Sequence, residues 1–392
     1  MKRVGLLIAY KNPNYGTMLQ AFATQYIVES LGCETEIIDY TADRFNKHYP
    51  LDLGLFRFLI DAYQEKKKKA ARTKFNDATF QNNIAKRKTS YVEFIHRRLH
   101  NIKEVSGFSN LCKLGSEYDA VLIGSDQKWH PGFSFGVDSS FRFVPKSVRT
   151  ISYATSLGVS EYPKSYWRTS RKAWSRIDYL SVREKTGADI ISKVCDNNIH
   201  AEVVVDPTYL ISCEDWKKIF PVEKKFEDKY IFCYFLGNDE ESKKCARRYA
   251  NLKGLKLVSV VSNESYSEID QEYADFLMTG ESPDSFVNWI RGAECVFTDS
   301  FHGTAFSIMN EKQIYVFYRK NTGVKLQRHS RIDDILSLWE IKYREVTKRV
   351  YSIGNERVLV AHYGNRLRIS KLSTALFFCA LRNLQRTLRM QR

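Results

Sequence analysis

Val296-Phe-Thr-Asp-Ser-Phe-His-Gly-Thr-Ala-Phe-Ser-Ile-Met-Asn310 opens as a short apolar run, breaks at Asp299, turns through Ser300-Phe301-His302-Gly303 and resumes with small uncharged residues. That is the grammar of a strand, a loop and a helix N-terminus. Backbone N–H groups at such a terminus point outward unpaired, and with the helix dipole they favour an anion such as phosphate or carboxylate. A histidine titrates near neutrality, about pH 6.5 when unperturbed, so His302 at the lip of the terminus is placed to give or take a proton. The bland alternative is that His302 merely caps the helix and Gly303 merely eases the turn.

Working outward, the same alternation recurs. Upstream, Tyr230 to Leu236 reads as a strand, Glu241 to Leu252 as a helix stopped near Gly254, Leu255 to Val261 as a strand and Pro283 to Arg291 as a helix. Downstream, Ile314 to Tyr318 is a strand and Arg331 to Leu338 a short helix. In the first half, Val4 to Tyr10 is a continuous apolar run, as expected of a strand buried on both faces of a parallel sheet. Thr17 to Leu31 carries Met18, Phe22 and Tyr26 on one helical stripe, and Glu34 to Tyr40 returns as a strand. The turn of this βαβ unit has one glycine and lacks G-x-G-x-x-G, so the dinucleotide fingerprint is absent.

Ala120 to Ile123, Thr150 to Ala154, Tyr179 to Val182 and Glu202 to Val205 read as further strands. Polar residues follow each one directly: Ser125-Asp126-Gln127, Thr155-Ser156, Arg183-Glu184 and Asp206-Pro207. Open parallel sheets bind ligands at that end of their strands. Asp126 and Gln127 suit sugar hydroxyls, although an Asp after a strand also caps helices. Asp206 before Pro207 reads as a turn residue. The expected fold is α/β, two Rossmann-like doubly wound domains facing a cleft. The first spans 1–215, with a basic, aromatic insertion of helices and loops at about 41–115. The second, 216–340, carries the His302 turn, and 341–392 reads as a basic helical tail.

The formal charge of the 392-residue chain is +16, and seven of those charges come from the acid-free stretch after Val358. Lys66 to Lys69 adds a run that reads as a solvated helix face. The remaining body is mildly basic, which suits an anionic small substrate, while the tail suits an anionic membrane surface. No interleaving of basic and aromatic residues along a strand marks a nucleic-acid partner. The eight cysteines stand singly, without metal spacing, which is reduced, cytosolic usage and implies no metal. The apolar start ends at Lys11 and reads as a first strand rather than a signal peptide. No run is long enough to span a bilayer. The expected location is the cytoplasm, with the tail at the inner membrane face.

Six pieces in order, Asn14-Tyr-Gly-Thr-Met-Leu-Gln-Ala21, Gly124-Ser-Asp-Gln127, Tyr153-Ala-Thr-Ser-Leu-Gly158, Ser181-Val-Arg-Glu184, Val205-Asp-Pro-Thr208 and Asp299-Ser-Phe-His-Gly-Thr304, together resemble the polysaccharide pyruvyl transferase family. The resemblance implies a GT-B-like fold and transfer of a pyruvyl group from phosphoenolpyruvate to two hydroxyls of a sugar. The product is a cyclic ketal on a bacterial surface glycan, whose acceptor form is free or lipid-linked. No cofactor is implied beyond phosphoenolpyruvate as donor substrate. By the same resemblance His302 lies at the donor as acid or base and Arg183 holds its anion. Ser300, Phe301, Gly303 and Thr304 complete the donor turn, while Asn14, Tyr15, Asp126, Gln127, His130 and Ser156 are expected toward the acceptor.

Two positions depart from the family pattern. Ser300 stands where many members have Arg, so Lys325, Arg328 or Arg331 is expected to supply the missing cation. His130 stands where many have Asn. The rival reading is a GT-B glycosyltransferase using a nucleotide sugar, for which no base pocket is marked. A non-catalytic binding protein acting through the basic tail is the other rival.

Overall fold

The computed structural model describes residues 1–41, 78–131, 138–237, 239–261, 269–318, 330–338, 343–346 and 358–361. The apolar runs form the middles of two sheets. The first is built from β1 (Lys2–Leu7), β2 (Cys33–Thr41), β3 (Ile102–Ser106), β4 (Ala120–Ile123), β5 (Arg149–Thr155), β6 (Tyr179–Val182) and β7 (Glu202–Val203), in the order β3-β2-β1-β4-β5-β6-β7. Every neighbouring pair in it is parallel. All four residues of β4 are buried, as a strand covered on both faces requires.

The second sheet contains β8 (Tyr230–Tyr234), β9 (Lys256–Val260), β10 (Phe276–Met278), β11 (Cys295–Thr298), β12 (Gln313–Phe317), β13 (Tyr343–Val346) and β14 (Val358–Ala361), in the order β10-β9-β8-β11-β12-β14-β13. Its first five positions repeat the order of the first sheet. In both, the chain reverses direction of growth between the first strand and the fourth, and the crevice beyond the carboxyl ends at that switch point is where such sheets take ligands. The architecture is two Rossmann-like sheets facing one another, the GT-B-like arrangement expected.

Two expectations need correction. The insertion contributes an edge strand, β3, whose burial is confined to Val105 and partly Ile102, so it shows no apolar run to read. The strand structure also continues past 340: β14 pairs antiparallel with β12, and β13 pairs antiparallel with β14. The segment from 341 is therefore not wholly a helical tail. Residues 362–392, which carry most of its basic charge, and the Lys66 to Lys69 run lie outside the described residues, and none of the described helices is long and apolar enough to cross a membrane.

The helix α1 (Tyr15–Ser30) leads from β1 toward the second sheet, and α2 (Ala78–Arg98) from the insertion lies beside it. The Tyr15 ring stacks on Phe286 with centroids 4.6 Å apart and meets Tyr91 at 5.3 Å and Tyr234 at 5.9 Å. Phe22 meets Trp216 at 5.8 Å and Phe220 at 5.7 Å. Along the same line Arg87 donates to the carbonyls of Met278 and Thr279, Ser90 to that of Gly280, and Arg98 to that of Ile219. The insertion thus fastens the first half to the second.

Candidate active site

Five strand ends converge. β11 delivers Ser300 and then α5 (Phe301–Met309); β4 delivers Ser125 and Asp126; β5 delivers Ser156; β6 delivers Arg183 and Glu184; and the segment after β7 delivers Asp206. Arg183 lies at the centre with its side chain only 1% exposed. Its Nη1 donates to Asp206 Oδ2 at 2.9 Å and to Ser125 Oγ at 3.0 Å. Its Nε lies 3.6 Å from Glu184 Oε2 and its Nη2 lies 4.0 Å from Asp126 Oδ1, which is ion-pair range without a hydrogen bond. The guanidinium carbon sits 4.3 Å from the centroid of the Phe301 ring, across the boundary between the halves.

Burial works against the charge of Arg183, but Asp206, Glu184 and Asp126 more than offset it and hold the guanidinium above its ordinary pKa. The carboxylates respond in kind. Burial alone would raise Asp206, yet the His302 ring, Arg183 and the Ser125 hydroxyl bring it well below the usual carboxylate range. Asp126 is lowered as well: burial opposes, while Arg183, His302, Thr17 and the Gln127 amide prevail. Both are therefore ionised at neutral pH.

His302 is 6% exposed, and its Nε2 lies 3.8 Å from Asp206 Oδ2 with no hydrogen-bond partner of its own. The ring is seated against Gly16 in the first turn of α1. A Cβ at that position would fall 2.0 Å from His302 Nδ1 and 2.2 Å from Cγ. Exchanging Gly16 for Ala should, by helix propensity alone, stabilise by about 0.5–1 kcal/mol. Here the added methyl overpacks a buried contact, which costs about 1–3 kcal/mol. We expect Gly16→Ala to melt at lower temperature than the parent and to lose activity through displacement of the ring; an unchanged melting temperature would refute this seating.

The other residues expected at the donor mostly build the helix start. Ser300 Oγ accepts from the Gly303 amide at 3.3 Å, and Thr304 Oγ1 donates to the Ser300 carbonyl at 3.0 Å. The first-turn amides of Phe301 and His302 have no intrahelical acceptor, as at any helix N-terminus, in keeping with an anion site. Asp299 accepts from the amides of Leu236 and Gly237 and so ties the neighbouring loop to the turn. Lys325 and Arg328 lie outside the described residues. Arg331 does reach the cleft: it opens the buried face of α6 (Ser330–Leu338), and its Nη2 donates to the Gln127 carboxamide oxygen at 3.0 Å when that amide is oriented by its hydrogen bonds.

On the acceptor side the structure separates the expected residues. Asp126 stands at the cleft in a left-handed conformation, φ +72, which a short polar side chain tolerates better than most. Its carboxylate accepts from Thr17 Oγ1 at 2.7 Å and from the Gln127 amide at 2.8 Å. Ser156 donates to Glu184 Oε1 at 2.6 Å, aimed there by a bulge in β5 where Ala154 adopts φ +53. Asn14 accepts from the Thr17 amide and caps α1. Tyr15 corrects the expectation outright: its ring is 1% exposed in the contact between the halves, and its hydroxyl donates to the Glu281 carbonyl at 3.2 Å. His130 is buried in the loop behind Gln127, to whose carbonyl its amide donates.

Sequence reading missed Glu184, Ser125, Thr17 and the reach of Asp206, since their partners are 23 to 109 residues distant along the chain. The recurring polar clusters past strand ends were the available signal.

No curated protein matches the chain. Among solved structures it is similar to UDP-GlcNAc 2-epimerase of Neisseria meningitidis bound to UDP-GlcNAc, with 8% identity over 100% of both chains and a TM-score of 0.49. It is also similar to UDP-GlcNAc 2-epimerase of Methanocaldococcus jannaschii in complex with UDP-GlcNAc and UDP, with 10% identity over 87% of each chain and a TM-score of 0.47. An alpha-glucosyltransferase in complex with UDP matches at 9% identity over 99% of this chain and 95% of that one, with a TM-score of 0.47. The family model for polysaccharide pyruvyl transferase matches residues 14–321, from the cap of α1 past the His302 turn. That span takes in every strand end that converges on Arg183, and the chain belongs to the polysaccharide pyruvyl transferase family.

Proposed function

We propose that the protein transfers a pyruvyl group from phosphoenolpyruvate to a vicinal or spaced pair of hydroxyls on a glycan, forming a cyclic ketal and releasing inorganic phosphate. The observation that carries this reading is His302, a buried imidazole with an unpartnered Nε2 at the start of a helix whose first amides have no intrahelical acceptor, beside a buried guanidinium. Such a group can protonate a vinyl carbon while the helix terminus steadies the donor's phosphate or carboxylate.

The balance is simple. One hydroxyl proton ends on the vinyl carbon, which becomes methyl; both hydroxyl oxygens bond to the former enol carbon; its bond to the phosphate oxygen breaks; and the second proton leaves with phosphate. In this reading Arg331 supplies the cation that Ser300 does not, and Arg183 meets the donor through its Nη2 edge. Asp126 and Gln127 face the sugar. The basic tail brings the protein to an anionic membrane carrying a lipid-linked acceptor.

The test is incubation of purified protein with phosphoenolpyruvate and the host's lipid-linked glycan, following phosphate release and the mass of the glycan. A mass gain matching one pyruvyl ketal per phosphate released is the expected result. Absence of both, together with thermal stabilisation by nucleotide sugars and not by phosphoenolpyruvate, would replace this reading with a glycosyltransferase.

A further inference from the structure

Asp206 was expected to be a turn residue, and half of its carboxylate is. Oδ1 accepts from the Thr208 amide at 3.1 Å and from Thr208 Oγ1 at 2.8 Å, capping the short helical turn that begins at Pro207. A cap needs no more than that. Oδ2 nevertheless points the other way, into the cleft, where it accepts from the Ser125 hydroxyl and from Arg183 Nη1 and faces His302 Nε2 at 3.8 Å. Four donors from three segments leave the carboxylate no alternative rotamer, and its side chain is 0% exposed.

We propose that Asp206 is the positioning residue of the reaction, a rigid carboxylate in the first half that aims the His302 ring of the second half and keeps Arg183 beside it. This rests on the pyruvyl-transfer reading. The residue does not touch the reacting atoms; it acts through the ring and the guanidinium. Among the described residues the charged groups facing His302 are Asp206 and Asp126, both anionic, and Arg183, whereas α1 presents Gly16 and the ring's own helix Phe301. With Oδ2 in place the ring is held in one orientation, which an acid that must protonate carbon requires.

The test compares Asp206→Asn with Thr208→Val. Asparagine keeps an oxygen for the cap but loses the charge at Oδ2; valine removes the hydroxyl donor to Oδ1 and leaves Oδ2 alone. Two quantities are read: steady-state transfer across pH, and the imidazole ¹⁵N resonances of His302, assigned by their absence in His302→Gln. For Asp206→Asn we expect kcat to fall about 10–100-fold with KM for phosphoenolpyruvate changed far less, the alkaline limb of the kcat profile, where a required acid loses its proton, to move, and the His302 resonances to shift. For Thr208→Val we expect none of these.

If Thr208→Val reproduces the loss, or if folded Asp206→Asn leaves the His302 resonances in place, Asp206 is only a cap and the proposal is overturned. Should Asp206→Asn not fold, Ser125→Ala releases one donor from Oδ2 and must move the same resonances; unmoved signals would overturn the proposal equally. If the parent protein transfers nothing, the function reading falls, while the resonance comparison still upholds or overturns the Asp206 contact.

Discussion

Arg183→Met is expected to cost about 3–5 kcal/mol of stability at neutral pH, because it leaves Asp206, Glu184 and Asp126 around a buried site without their central cation. Methionine keeps most of the volume, so packing is not the cause. The pH dependence separates this from any other explanation. In the parent, Asp206 and Asp126 have folded pKa values below their unfolded ones. Their stabilisation is therefore fully present above about pH 4 and is lost as pH falls through the lower folded values. In the variant the same groups lose the Arg183 counter-charge while the burial that opposes their ionisation remains, so their folded values rise. The penalty then shrinks as pH falls through those raised values. Urea denaturation at pH 7 and pH 5 should show a smaller difference between parent and variant at pH 5. An equal difference at both would mean that Arg183 does not balance the carboxylates. Loss of activity in an Arg183 variant therefore speaks to folding before it speaks to donor binding.

His302→Gln is expected to lower the rate of phosphate release by about 10²–10⁴, the usual contribution of a positioned acid or base. Stability should change little, since α5 is capped by Ser300 and the ring's ionic contact with Asp206, at 3.8 Å, is longer than a hydrogen bond. Single-turnover release with saturating phosphoenolpyruvate and acceptor measures the chemical step directly. A rate within threefold of the parent would remove His302 from the chemistry and leave it as a packing residue against Gly16.

The two sheets were legible because their inner strands are covered on both faces and therefore read as apolar runs; β4, β6 and β11 fall where the residues placed them. What escaped was the periphery. β3 lies at one edge of the first sheet with only Val105 fully buried, so it lacks the pattern that identifies a strand; β7, at the other edge, is expected from Glu202 to Val205 and forms only at Glu202–Val203. The site was half legible. His302, Arg183 and Asp126 stood out by residue type and by place after a strand. Their mutual arrangement did not, since Arg183 meets Asp206, Ser125 and Phe301 only after strands from both sheets are stacked. Tyr15 shows the converse. Its position in a polar turn pointed to a ligand, yet a large ring in the first turn of a buried helix has more to gain from Phe286 and Tyr91 than from solvent.

The two sides of the contact between the halves differ in kind. Along α1 and α2 it is a row of stacked and edge-on rings, while at α6 it is polar: Arg331 with Gln127, and the Thr186 amide donating to Asp334 at 3.1 Å. Separating the rings exposes apolar surface to water; parting the polar pairs exchanges them for hydration at little net cost. Among the described residues the aromatic row is therefore the side of the contact that costs more to part and α6 the side that costs less, so that a hinged opening, were the cleft to open, would turn on the rings as its spine.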